Sequence, residues 1–214
     1  YKTDKDMIGK TMKCFADVVH FVVASRVLDQ ERCAAARAAP GGGGSAANRC
    51  QLDDTEFRQE LMDVMFYVDN MMTKESPAWL QAVQTHTLKN IGEIFGVMRP
   101  VLGYADLGEI ARGFLESIPP RKKTTNLLKL LLCRKIVMSD MFASREGKRG
   151  VTAAVIRMLQ THIERTEPEQ QLTIVIVKEL VGVIHRDMLD ARDSKERANA
   201  ENDLWNTSIL LPEL

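Results

Sequence analysis

Residues 166–190 read TEPEQQLTIVIVKELVGVIHRDMLD, and the reading of this stretch decides the fold. Its β-branched run Thr173–Val177 has the composition of a buried strand. The apolar positions, however, belong to a longer series. Leu172, Ile176, Leu180, Ile184 and Met188 recur every four residues, which puts them on one face of a helix. Thr166 with Glu169 has the spacing of a capping box, and Pro168 falls in the first turn, where its missing N–H leaves no gap in the ladder. The stretch is therefore read as a helix, and with that the chain loses its one strand candidate.

The same periodicity runs back toward the N-terminus. Ile8, Met12, Phe15, Val19 and Val22 predict a first helix over about 4–30, widened by Val18, Phe21, Val23, Val27 and Leu28 into a face buried on more than one side. Asp53 with Glu56 predicts the next start, followed by Phe57, Leu61, Val64, Val68 and Met71. Ser76-Pro77 opens a helix with the stripe Leu80, Val83, Thr87, Ile91 and Ile94, closed at Pro100. Asp106 and Glu109 repeat the capping-box pattern over 106–118. A helix that is nearly all apolar in its middle is expected over 123–142 and another over 151–164. Residues 191–203 are polar, and an apolar segment with Leu204 and Trp205 follows.

Seven long helices result, paired as 53–74 with 76–96, 106–118 with 123–142, and 151–164 with 166–190. Pair starts at 53, 106 and 151 lie near the roughly 40–47-residue period of HEAT and armadillo repeats. The expected fold is all-α, an α-solenoid of antiparallel helix pairs, armadillo- or HEAT-like. Residues 1–214 are expected to form a single helical-repeat region with a flexible glycine-rich linker at about 38–52, centred on Gly41–Gly44.

Composition narrows the function. The 214 residues carry 29 Lys and Arg against 29 Asp and Glu, a balance that speaks against nucleic-acid binding. No apolar run reaches the roughly 18–20 residues of a membrane span. No signal-peptide pattern is present and the chain starts at Tyr1, so a cytoplasmic, excised piece is expected. Cys14, Cys33, Cys50 and Cys133 show no zinc-ligand spacing and are expected to be reduced thiols, with no metal or cofactor.

Chemistry-bearing motifs each have a simpler structural account. His185-Arg186-Asp187 resembles the opening of a kinase catalytic loop, but Arg192 stands where that loop needs Asn, so a polar helix edge is the better reading. Leu127, Leu130 and Leu131 fit a Leu-x-x-Leu-Leu docking pattern, yet so apolar a run is expected to be buried all round. Gly147-Lys148-Arg149-Gly150 lacks the Ser or Thr of a phosphate loop and is read as a turn. Asp53, Asp54 and Glu56 are explained by helix capping. His20 and His162 are expected to be partly buried core histidines. No catalytic residue is predicted.

Net neutrality hides local charge. Residues 51–76 hold seven acidic and two basic residues, whereas residues 121–149 hold nine basic and two acidic ones. Solvated helix ends explain this simply. The functional alternative is a basic contact patch of Arg121, Lys122, Lys123, Arg145, Lys148 and Arg149 for an acidic protein surface or an anionic membrane.

Blocks of the sequence resemble the middle helical region of the dedicator-of-cytokinesis (DOCK) proteins, closest to the Rac-activating branch, over roughly residues 5–190. They are Phe21–Leu28, Val68–Met72, Phe114–Pro119, Ile136–Phe142 and His162–Arg165, in the family's order and at similar distances. The glycine run at 41–44 departs from that pattern. The resemblance implies a non-catalytic, armadillo-like scaffold segment of a Rac guanine nucleotide exchange factor. Such a segment positions a lipid-binding region on one side and an exchange lobe on the other. Its implied partners are the neighbouring domains of the parent chain, a Rac-type GTPase through the parent, engulfment-and-motility (ELMO) scaffold proteins and an anionic plasma-membrane surface. No cofactor and no nucleic acid are implied. The alternative is a HEAT-like adaptor that binds a peptide or protein partner and is unrelated to exchange factors.

Overall fold

A computed structural model describes residues 2–38, 54–75, 77–117, 123–165, 167–191 and 194–208. Among these residues the chain is helical throughout, with no strand. In order the helices are α1 (Lys2–Lys13), α2 (Phe15–Ala38), α3 (Asp54–Thr73), α4 (Leu80–Met98), α5 (Tyr104–Ser117), α6 (Lys123–Val137), α7 (Asp140–Ala143), α8 (Arg145–Ile163), α9 (Glu167–Asp190) and α10 (Ser194–Ser208). They fall into two compact units, Tyr1–Leu107 and Gly108–Leu214. The glycine-rich stretch, Asp53, Ser76 and Thr166 lie outside the described residues.

In the first unit α2 and α1 both pack on α4. The long first helix expected from the sequence is two helices, because the chain bends at Cys14. There one N–H is shared between the Lys10 and Thr11 carbonyls at 3.2 and 3.1 Å. Met12, Phe15, Val19 and Val23 form the buried stripe, while Val18, Leu28 and Phe21 (74% exposed) lie outside it. Burial on several sides is therefore corrected to burial on one, the side that meets α4. On α3 the buried set is Leu61, Met65, Val68 and Met72 rather than the stripe through Val64 and Met71. Both stripes are apolar, so the sequence alone left the rotation open.

Helix α4 starts at Leu80, later than expected, after a tight turn in which Leu80, Gln81 and Ala82 donate to the carbonyls three residues back. Its stripe Leu80, Val83, Thr87, Ile91 and Ile94 is buried as anticipated. Gln84 joins α3 to α4: its buried Nε2 lies 3.0, 3.3 and 2.8 Å from the carbonyl oxygens of Met71, Met72 and Lys74. The Met71 and Met72 carbonyls lie in the last turn of α3, where no amide of the helix four residues on reaches them, and Lys74 follows directly. The capping pattern expected at Asp106 sits three residues earlier. Asp106 is the third residue of α5 and reaches back to accept from the Gly103 N–H at 3.2 Å, the returning half of a capping box. Its other oxygen accepts from Arg58 of α3 at 2.5 Å.

In the second unit α9 packs on α6, α8 and α10, and the β-branched run at 173–177 is helical, as expected. The single helix expected over 123–142 ends at Val137. Ser139 and Ser144 both take extended backbone and cap new starts, accepting from Phe142 N at 3.3 Å and from Gly147 N at 3.1 Å. Residues 147–150, read as a turn, are therefore the opening of α8. Glycine is needed there by contact. A Cβ on Gly108 would lie 2.6 Å from the Gly147 carbonyl oxygen, and one on Gly147 would meet the Met141 carbonyl. Residues 194–203 of the polar stretch expected after Asp190 belong to α10, whose buried residues among those described are the small Ala200 and Thr207.

Side-chain links fix helix directions in this unit. Lys148 reaches Asp187 and His162 lies 4.0 Å from Glu169, so α8 and α9 are antiparallel. Asn126 pairs with Glu169 and Arg134 with Glu179, so α6 and α9 run the same way. Gly108 against Gly147 and Glu116 with Arg157 make α5 and α8 parallel as well.

Candidate interaction surface

The basic stretch of residues 121–149 is dispersed by the fold. Arg121 and Lys122 lie outside the described residues, and Lys123 opens α6. Lys129 is buried within the unit, and that burial holds its ammonium down at about 8. Cys133, one turn on, is wholly buried and its thiol is pushed up to about 12 by the same desolvation. Arg134 donates to Glu179 from Nε and Nη2, at 3.0, 3.0 and 2.6 Å, which raises the guanidinium's affinity for its proton. Lys148 holds Asp187 and, at 3.3 Å, Asp203. Among the six of these cations whose side chains are described, Lys129, Arg134 and Lys148 are thus absorbed by burial or by acids from α9 and α10. A local charge count could not reveal those acids.

What remains on α8 is a rim. Arg145 and Arg149 are exposed at its first turns, beside a groove of about 1040 Å³ between α8, the end of α9 and α10. Lys195 of α10 adds a cation to that groove, while Asp187 and Asp203 bring negative charge to it through Lys148.

Beneath the surface lies a buried polar cluster. Glu169, 2% exposed, accepts from Asn126 at 3.2 and 3.5 Å, and Thr173 donates to its carbonyl at 2.8 Å. The His162 Nδ1 lies 3.0 Å from the Met158 carbonyl, and burial lowers this imidazole's proton affinity. Among the described residues His162 Nε2 and Asn126 Oδ1 have no hydrogen-bond partner. His162 is the core histidine the sequence anticipated. His20 is not, since its side chain is exposed on α2, off the buried stripe.

The other motifs resolve structurally. His185 and Arg186 sit on the exposed edge of α9 and Asp187 is held by Lys148. Leu130 is buried, Leu127 is half-buried and Leu131 is 44% exposed, so the expected all-round burial of α6 is corrected. The reason is that α6 packs with one arc and leaves the other open. Cys14, Cys33 and Cys133 are in no disulfide. Among the described residues no group of three His, Cys, Asp or Glu side chains could hold a metal ion, and no helix is long and apolar enough to cross a membrane.

The class these features define is all-α, helix packed on helix, with its distinctive chemistry at the surface and in buried pairings between helices. The family model of the dedicator-of-cytokinesis (DOCK) TPR region matches residues 2–199. The chain therefore belongs to the DOCK family, of which it is the helical TPR region. Neither a curated protein nor a solved structure matches it.

Proposed function

We propose that the chain is a non-catalytic scaffold segment of a Rac guanine nucleotide exchange factor, built of stacked antiparallel helix pairs. In its parent it spaces and orients the lipid-binding and exchange regions. The observation that carries this reading is the register of links between parallel helices. Glu116–Arg157, Asn126–Glu169 and Arg134–Glu179 join residues 41, 43 and 45 apart. First helix meets first helix and second meets second, one pair further along, which is how a helical-pair array propagates. That spacing supports a HEAT- or armadillo-like period of roughly 40–47 residues over the 34 of a tetratricopeptide repeat. In such an array each pair contacts its neighbours, so the segment transmits position rather than performing chemistry.

Membership of the DOCK family favours this function over an unrelated adaptor. The exposed Arg145 and Arg149, with Arg121, Lys122 and Lys123, are the groups we assign to contact with an anionic membrane or an acidic neighbouring surface at the plasma membrane. Rac-type GTPases and ELMO proteins are partners of the parent. The test is release of a fluorescent guanine nucleotide from Rac in the presence of the 214-residue chain. The rate stays at the intrinsic value at every concentration of the chain; acceleration would overturn the scaffold reading.

A further inference from the structure

The open arc of α6 and the adjoining face of α9 form a furrow. Leu127, Leu131 and Arg134 follow one another by four and three residues on one stripe of α6, and Met138, whose N–H donates to the Arg134 carbonyl at 3.0 Å, continues it just past the helix end. Leu172, Val175, Glu179, Gly182 and Arg186 do the same on α9, by three, four, three and four. The Arg134–Glu179 pair ties the two stripes together, so they flank a common furrow. Its walls are apolar and open to solvent: Leu131 is 44%, Met138 56% and Val175 41% exposed, with Leu127 and Leu172 half-buried. At Gly182 a Cβ would meet nothing within 4 Å, so a second backbone could approach closely.

We infer that this furrow is a docking site for an amphipathic helix whose apolar stripe is flanked by acidic residues. Length, shape and charge select that occupant. From Leu127 to Met138 the wall runs eleven residues, or about 16 Å, which accommodates about three turns of a second helix. Helix-in-groove recognition uses anchors three and four residues apart, the spacing the two walls already display. Glu179 is the one carboxylate on either stripe, and Arg134 neutralises it. Around it Lys178 and Arg186 of α9 are exposed cations. An acidic flank meets these cations and a basic one is repelled. The furrow lies between two helices already packed on each other, so the occupant comes from outside this helix pair. A lipid surface would meet a ridge better than a furrow.

The test uses the whole chain and two fluorescent helical peptides of about four turns with the same leucine stripe, one flanked by Glu and one by Lys. Anisotropy should show the Glu-flanked peptide binding at least about tenfold tighter than the Lys-flanked one, with the gap closing at high salt. Leu131→Asp with Val175→Asp should weaken that binding about tenfold or more. Lys178→Glu with Arg186→Glu should reverse the preference and favour the Lys-flanked peptide, a gain that misfolding cannot produce. Equal binding of both peptides, no binding of either, or indifference to these substitutions would overturn the proposal. So would capture of phosphatidylserine vesicles by a chain that ignores both peptides.

Discussion

Replacing Gln84 by Glu exchanges one nitrogen for one oxygen, at a point where a buried amide faces three carbonyl oxygens 2.8, 3.0 and 3.3 Å away. An amide nitrogen has two N–H groups, so the substitution removes about two hydrogen bonds worth about 1 kcal/mol each. It also turns oxygen toward oxygen in a buried place. The total is about 3–4 kcal/mol at neutral pH, a large part of the roughly 5–15 kcal/mol that stabilises a domain. Gln84→Leu removes the bonds without the repulsion, so its loss is about 2–3 kcal/mol. Acid separates the two variants. Burial among carbonyls raises the new carboxyl above the about 4.3 of free Glu. The deficit of Gln84→Glu relative to wild type is therefore small below that value, where the protonated group donates, and grows as pH rises through the raised value. Gln84→Leu has no such slope. Urea unfolding followed by Trp79 fluorescence in a Trp205→Phe background reports the first unit, and hydrogen exchange of the Met71, Met72 and Thr73 amides reports the last turn of α3. A Glu variant as stable as wild type at neutral pH, or a deficit independent of pH, would refute the assignment of Gln84 as the clasp between α3 and α4.

Lys129 makes stability depend on alkaline pH. Its folded value of about 8 lies below the free 10.5, so the unfolded chain binds more protons in between and stability rises with pH across that window, by about 3 kcal/mol at most. Lys129→Met should flatten that part of the urea midpoint against pH. Gly108→Ala, pressed against the Gly147 carbonyl, should cost about 1–3 kcal/mol, whereas Gly182→Ala, with open space at its Cβ, should gain about 0.5–1 kcal/mol; thermal melts distinguish the two signs. Lys148→Ala leaves Asp187 and Asp203 facing each other without their shared cation. It should speed amide exchange in α10 about tenfold or more and leave the α3 amides unchanged.

The helices were legible where apolar residues keep one period. The stripe of α4 and the β-branched centre of α9 lie where spacing placed them. Reading failed where hydrophobicity carried no edge. From Leu127 to Phe142 the apolar run is nearly continuous, and the breaks at Ser139 and Ser144 are set by hydroxyls that cap the next helix. Helix α10 went unread because its buried residues, Ala200 and Thr207, are small and make no stripe. The basic patch was only half legible. Nine cations in 29 residues are visible in the sequence, but the acids that absorb Arg134 and Lys148 belong to helices brought in by folding. The furrow of α6 and α9 was hidden for the same reason, since the stripes that carry Leu131 and Val175 are joined only by the Arg134–Glu179 pair, 45 residues apart.

The proposal that this region holds the parent's membrane and exchange regions in fixed relative positions meets its most direct test in Ile176→Asp. Ile176 is fully buried in α9, and an unpaired carboxylate there costs several kcal/mol and breaks contact between neighbouring helix pairs. Nucleotide exchange on Rac is measured for the full-length parent, wild type and variant, in solution and on vesicles bearing lipid-anchored Rac. The account predicts equal rates in solution and loss of the vesicle-dependent acceleration in the variant. Retained acceleration on vesicles, or a matching loss in solution, would contradict it.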